Sequence, residues 1–181
     1  MAELGLVLVP LLLLGVLIVE AAHWQIVQQL AYVALLDAAR AGATQHVQPD
    51  VMARAFAHAI LPRFIHAGGD ARVARDRAWR RIQQTSGLPA WRIEVLPSES
   101  PSVLRTRLTY LHEPLTPLTR TLLRRFARPT DDCADRALAQ GLLAIRLELH
   151  IEMHSPPIRW QTAPRSRDDR VVYGMTNCGD R

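Results

Sequence analysis

The chain has 181 residues, enough for one domain plus an anchor. Hydrophobic residues make up 49% of it while mean hydropathy is zero, an average over an apolar N-terminal stretch and an ordinary polar remainder. The formal charge is +5, yet the 22 basic residues, all Arg, spread from Arg40 to Arg181 with no dense stripe and no aromatic platform, which reads as a solvated basic surface and argues against nucleic-acid binding.

From Leu4 to Val19 sixteen residues carry no polar side chain, slightly short of the ~20 usual for a membrane span. The apolar pattern continues past Glu20 through Ala21, Trp24, Val27, Leu30, Ala31, Ala34, Leu35 and Ala38 at helical spacing. Gln25, Gln28, Gln29 and Asp37 fall between them. One helix over residues 3–44 is expected, about 63 Å long, with its first half in lipid and its second half amphipathic. A cleaved signal peptide fits poorly, because no basic segment precedes the run and no small-x-small site follows it. A plain anchor remains open, but the details favour a helix built for lateral packing. Glu3 places a carboxylate beside lipid, where it needs a partner or a function. Pro10 removes a backbone hydrogen bond and can kink the helix. Gly5 and Gly15 are thin points for close helix approach.

Beyond Gly42 the chain is expected to break near Pro49. Asp50 is expected to cap a helix over Val51 to Leu61, ended by Pro62. After Ala67-Gly68-Gly69, Asp70 opens an Arg-rich helix to about Gln84, stopped by Ser86-Gly87. Trp91, Ile93 and Val95 alternate with Arg92 and Glu94, and Leu104 to Tyr110 alternates likewise, giving two strands. A helix is expected over Leu115 to Arg128, with apolar Leu118, Leu122, Leu123 and Phe126. Ile145 to His154 has strict period two: Ile145, Leu147, Leu149, Ile151 and Met153 face one way, and Arg146, Glu148, His150, Glu152 and His154 the other. The tail from Ile158 reads as irregular. The predicted fold is α+β: a long N-terminal helix (residues 1–44), then residues 45–181 with a small antiparallel sheet packed on the amphipathic half of that helix, plus additional helices.

Catalytic signals are weak. There is no P-loop, dinucleotide fingerprint or nucleophile elbow, so no enzyme is predicted. His150, Glu152 and His154 share a strand face and form a weak metal candidate, disfavoured by Arg146 beside them. No cofactor is expected. His23, His46, His58, His66 and His112 stand isolated. Asp131-Asp132 and Asp168-Asp169 read as turns or caps. If the domain lies outside the cytoplasm, Cys133 and Cys178 are candidates for a disulfide closing about 46 residues, a stabilisation of roughly 4 kcal/mol; two free thiols are the alternative.

The stretch Met1-Ala-Glu-Leu-Gly-Leu-Val-Leu-Val-Pro-Leu-Leu-Leu-Leu-Gly-Val-Leu-Ile-Val-Glu20, followed by Ala38-Ala39-Arg40-Ala41-Gly42-Ala43, resembles the start of TadE-like minor pilins of the tight adherence (Tad, Flp) type IV pilus. Shorter patches at Leu108–Leu118 and Glu152–Pro156 resemble the family's strand with its Pro-rich turn and its closing strand. The chain departs from the family pattern in two ways. The leader ending in Gly is missing, and the signature Glu is third here where processed pilins have it fifth. An upstream start, a trimmed segment and an unprocessed member all remain open. The resemblance implies a non-enzymatic minor pilin or pseudopilin that initiates, caps or anchors a pilus. It implies an inner-membrane helix with a periplasmic C-terminal domain, although the positive-inside rule read alone would put the Arg-rich side in the cytoplasm. Implied partners are other minor pilins, the major Flp pilin, the inner-membrane assembly platform, the lipid bilayer and, where a leader exists, a prepilin peptidase. Glu3 would pair with the N-terminal amine of a neighbouring subunit, and Glu20 would belong to the same packing helix. The alternatives are a membrane-anchored periplasmic binding or sensor domain, and a membrane-anchored hydrolase or metal protein using the His150 cluster.

Overall fold

The computed structural model describes residues 2–65, 69–98, 100, 102–127, 133–155 and 170–174; for residues 2–7 and 133 it describes the backbone alone. The first element is a single α-helix, α1 (Ala2–Thr44), unbroken at Pro10. From Leu8 to Thr44 it is long and apolar enough to cross a membrane, with a mean hydropathy of 1.7 over an 18-residue window. Its end is fixed by a turn in which His46 and Val47 take left-handed φ of 56° and 59°. That conformation is costly for a β-branched residue. Val47 is held there because its N–H donates to the Gly42 carbonyl at 2.8 Å, its carbonyl accepts from the Tyr173 hydroxyl, and its side chain is buried.

Helix α2 (Pro49–Ala59) begins two residues before the expected start, because Pro49 itself occupies the first turn and Gln48 precedes it in an extended conformation. A 3-10 turn at Leu61–Phe64 follows. Helix α3 (Ala71–Ser86) has the ends its sequence announces: the Asp70 carboxylate accepts from Arg72 N–H at 2.8 Å, and Gly87 closes it at φ 69°.

Strands β1 (Trp91–Leu96), β2 (Val103–His112) and β3 (Leu143–Glu152) form the expected antiparallel array, with Ile93 opposite Leu108 and Leu108 opposite Leu147. Between β2 and β3 lie α4 (Pro117–Phe126), capped by Thr116, and a short α5 (Cys133–Ala139). The sheet is not purely antiparallel, which corrects the sequence expectation. A fourth strand, β4 (Val171–Tyr173), pairs parallel to β1, giving the order β3-β2-β1-β4. It lies in the tail that composition marked as irregular. Two ladder bonds of 2.8 Å, Ile93 N–H to Arg170 O and Gly174 N–H to Val95 O, hold it in place.

The core joins all layers. Val27, Ala31, Ala34, Leu35 and Ala38 of α1 are buried in one cluster with Met52 and Phe56 of α2 and with Ile93, Leu108, Tyr110 and Ile145 of the sheet. Trp91 sits at its centre, its ring 4.5 Å from Phe56 and 5.7 Å from Trp79. Gly42 permits this packing, since a Cβ there would fall 2.9 Å from the buried Met52 sulfur.

Candidate assembly surface and a buried polar cluster

Every described residue of α1 from Leu8 to Val19 is exposed. Leu11, Leu12, Leu14, Ile18 and Val19 each leave more than half of their surface uncovered, which in water would be costly. Pro10 and Gly15 lie in this exposed stretch, and a Cβ on Gly15 would meet nothing within 4 Å. The exposed apolar stripe does not stop at the end of the run. Ala22, Ile26 and Val33 continue it along the face of α1 opposite the sheet, with exposed Gln29 between the last two and Tyr32 beside them. The backbone at Glu3 and Gly5 belongs to α1, while their side chains lie outside the described residues.

Glu20 has a different place from the other helix-packing candidates. It is 6% exposed, and its carboxylate accepts from the backbone N–H of Leu115 at 2.8 Å and of Thr116 at 3.3 Å. Both oxygens are therefore engaged within the chain. They clasp the segment that starts α4 against the point where α1 leaves its exposed apolar stretch.

One turn further on, His23 meets His112 with ring centroids 5.4 Å apart. The Arg63 guanidinium lies 3.2 Å from His112 Nδ1 and also donates to the Tyr110 hydroxyl. Burial drives the His112 pKa down to about 3, and the positive charge of Arg63 and then His23 push the same way. His112 is thus neutral at physiological pH, with Nδ1 accepting from Arg63 and the proton on Nε2. Burial raises the Tyr110 pKa, with Arg63 opposing. Such a histidine is too weak a base for acid-base work near neutrality. It ties β2, the 3-10 turn and α1 together. None of this was legible from local motifs, because the four residues come from three distant parts of the chain. Beside the cluster opens a cleft of about 640 Å³ lined by Arg63, Arg77, Trp79, Arg81 and Arg120 among others.

His150 and Glu152 are exposed on the outer face of β3, and His154 lies beyond the strand end with Nδ1 3.3 Å from the Glu152 carbonyl. Among the described residues no three His, Cys, Asp or Glu side chains come together in a way that could hold a metal ion. That outer face is instead an ion-pair ladder. Glu148 contacts Arg107 at 2.6 Å and Arg105 at 3.1 Å, and Arg107 approaches Glu94 at 3.8 Å. Hydrogen bonds from Arg107 and Arg105 hold the Glu148 carboxyl below the usual range. The Cys133 side chain, Cys178, His66, Asp131-Asp132 and Asp168-Asp169 lie outside the described residues. Comparison with protein-family models, with curated proteins and with solved structures found no match.

Proposed function

We propose that this protein is a non-enzymatic minor pilin or pseudopilin of a Tad-type pilus, anchored in the inner membrane with its folded domain in the periplasm. The family is suggested by the ordered N-terminal set of Glu3, Pro10, Gly15, Glu20 and Ala38–Ala43. The observation that carries the assembly role is the exposed face of α1, whose apolar residues continue past Glu20 and are interrupted by Gln29. A simple anchor needs apolar surface only as far as the bilayer. Here Ala22, Ile26 and Val33 extend it on the free face for three further turns, a surface suited to neighbouring helices. The partners are other minor pilins, the major pilin and the assembly platform, with Glu3 meeting a neighbour's N-terminal amine.

The test is genetic and biochemical. Ile26→Glu with Val33→Glu is expected to leave the domain folded and the helix inserted but to abolish both piliation and co-purification with other pilus subunits. Glu3→Ala should give the same loss of pili. Normal pili in both variants would refute the assembly role. The cleft beside Trp79 keeps one rival in play, a membrane-anchored binding domain. That reading requires neither the Ile26 stripe nor Glu3, so unaffected pili alongside a ligand-induced stability gain would favour it.

A further inference from the structure

Two sets of hydrogen bonds fix how the sheet stands along α1. At one end His154 N–H and Ser155 N–H donate to the Ala43 carbonyl at 3.2 and 3.1 Å. At the other, Glu20 clasps Leu115 and Thr116, just past the end of β2. Between Glu20 and Ala43 the helix rises about 35 Å. Between Leu143 and His154 an extended chain covers about 36 Å. The sheet therefore runs beside α1, and the ends of β2 and β3 that pair His112 with Leu143 stand level with Glu20. That is the level at which the exposed apolar stretch of α1 gives way to the buried one. The β2–β3 connection, which contains α4, lies at this end.

Helix α4 is amphipathic in an unusual sense. Thr119 is buried and Leu123 half-buried against the domain. Leu118, Leu122 and Phe126, spaced four apart along one face, are 43%, 41% and 74% exposed, and Leu115 extends their row at 53%. Arg120 and Arg124 lie on the opposite flank, and Arg125, seven residues after Leu118, borders the apolar row itself. Arg120 pairs with Glu113 at 2.8 Å, Arg124 donates to the Gln140 carbonyl at 3.3 Å, and Arg125 is exposed. An apolar row flanked by arginines is the composition of helices that lie in the headgroup region, with the row in the acyl boundary and the guanidinium groups among phosphates.

We infer that α4 is a second membrane contact: it lies in the bilayer interface, seats Leu115, Leu118, Leu122 and Phe126 in lipid, and sets the domain down on anionic headgroups. The Glu20 clasp then acts as a hinge stop, joining the interfacial helix to the membrane helix at a fixed height. The inference needs only that α1 crosses a membrane and is independent of the pilus reading.

The full chain, reconstituted in vesicles of phosphatidylethanolamine and phosphatidylglycerol, tests it. A photoreactive benzophenone amino acid is placed at Leu14, Phe126 or Tyr32 in separate variants; all three positions are exposed, so the fold tolerates them. After irradiation, intact mass identifies what was captured. Phospholipid adducts are expected at Leu14 and Phe126 and not at Tyr32, which stands about 18 Å past Glu20 along α1. A Phe126 yield several-fold above that at Tyr32 supports the proposal. Adducts at Phe126 with a second copy of the chain in place of lipid would overturn it, and so would a Phe126 yield no higher than that at Tyr32 while Leu14 captures lipid. Loss of lipid capture at Leu14 as well would remove the membrane span itself and the proposal with it.

Discussion

The two halves of α1 use the same apolar chemistry for opposite purposes. Residues 8–19 are dominated by Leu, Val and Ile and bury nothing against the domain. Residues 27–43 bury Ala31, Ala34, Ala38, Ala39 and Ala43, all at or near zero exposure. What separates the halves is side-chain size more than hydrophobicity. Alanine lets α2 and the sheet come close to the helix axis, and the core is then filled by Phe56, Trp91 and Tyr110 from the other side. Large aliphatic chains dominate the exposed half, whereas on the buried face of the second half only Val27 and Leu35 stand among the alanines. A hydropathy average over the helix sees one element where packing makes two.

The sharpest way to break this comparison is to exchange size between the halves. Ala38→Leu forces extra carbons into a site with no exposed surface and should destabilise the domain by about 3 kcal/mol. Gly15→Leu adds the same bulk where nothing lies within 4 Å and should leave the unfolding midpoint unchanged. Denaturant unfolding of the full chain in detergent, followed by tryptophan fluorescence, measures both. Equal effects would mean that the two halves share one packing environment.

A smaller effect is expected at the boundary between the halves. Glu20→Ala leaves the part-buried N–H groups of Leu115 and Thr116 without their acceptor and should cost about 2 kcal/mol. Glu20→Gln keeps one acceptor oxygen and should cost about half as much. Hydrogen exchange at Leu115 and Thr116 should accelerate in the alanine variant. Unchanged exchange there would show that the clasp is not what fixes the start of α4.

Periodicity and caps made the long helix, α3 with Asp70 and Gly87, and the alternation of β3 readable in advance, because each is decided within a few residues. Contacts between remote segments were not. Glu94 stands on the outer face that the alternation gives it, yet it is buried there beside Arg107, a neighbour in register but not in sequence. β4 is only three residues long, and no period can be read over three residues. Leu118, Leu122 and Phe126 announced an apolar helical face. Spacing defines such a face without saying what covers it, and in the folded chain these three stay outside the core. Glu20 looked like part of a packing helix because its partners, two backbone amides some 95 residues away, carry no sequence signature.

His112 offers the mildest probe, and one that depends on pH. An exposed or unfolded histidine titrates near 6.5. In the fold, burial and Arg63 hold His112 neutral down to about pH 3. Between those values the unfolded chain takes up a proton that the folded chain refuses. The stability that neutral His112 contributes is therefore complete above about pH 6.5 and declines as pH falls, by at most about 1.4 kcal/mol per pH unit. Carboxylates titrate over part of the same range, so the informative quantity is the difference between the wild-type chain and His112→Gln, in which the amide oxygen still accepts from Arg63 but does not titrate. That difference should be constant from pH 8 to about 6.5 and should then move against the wild-type chain on acidification. Parallel profiles down to pH 4 would mean that His112 accepts a proton within the fold. In that case the cluster that locks β2 to the lower turn of the buried half of α1 would be wetter than its geometry implies.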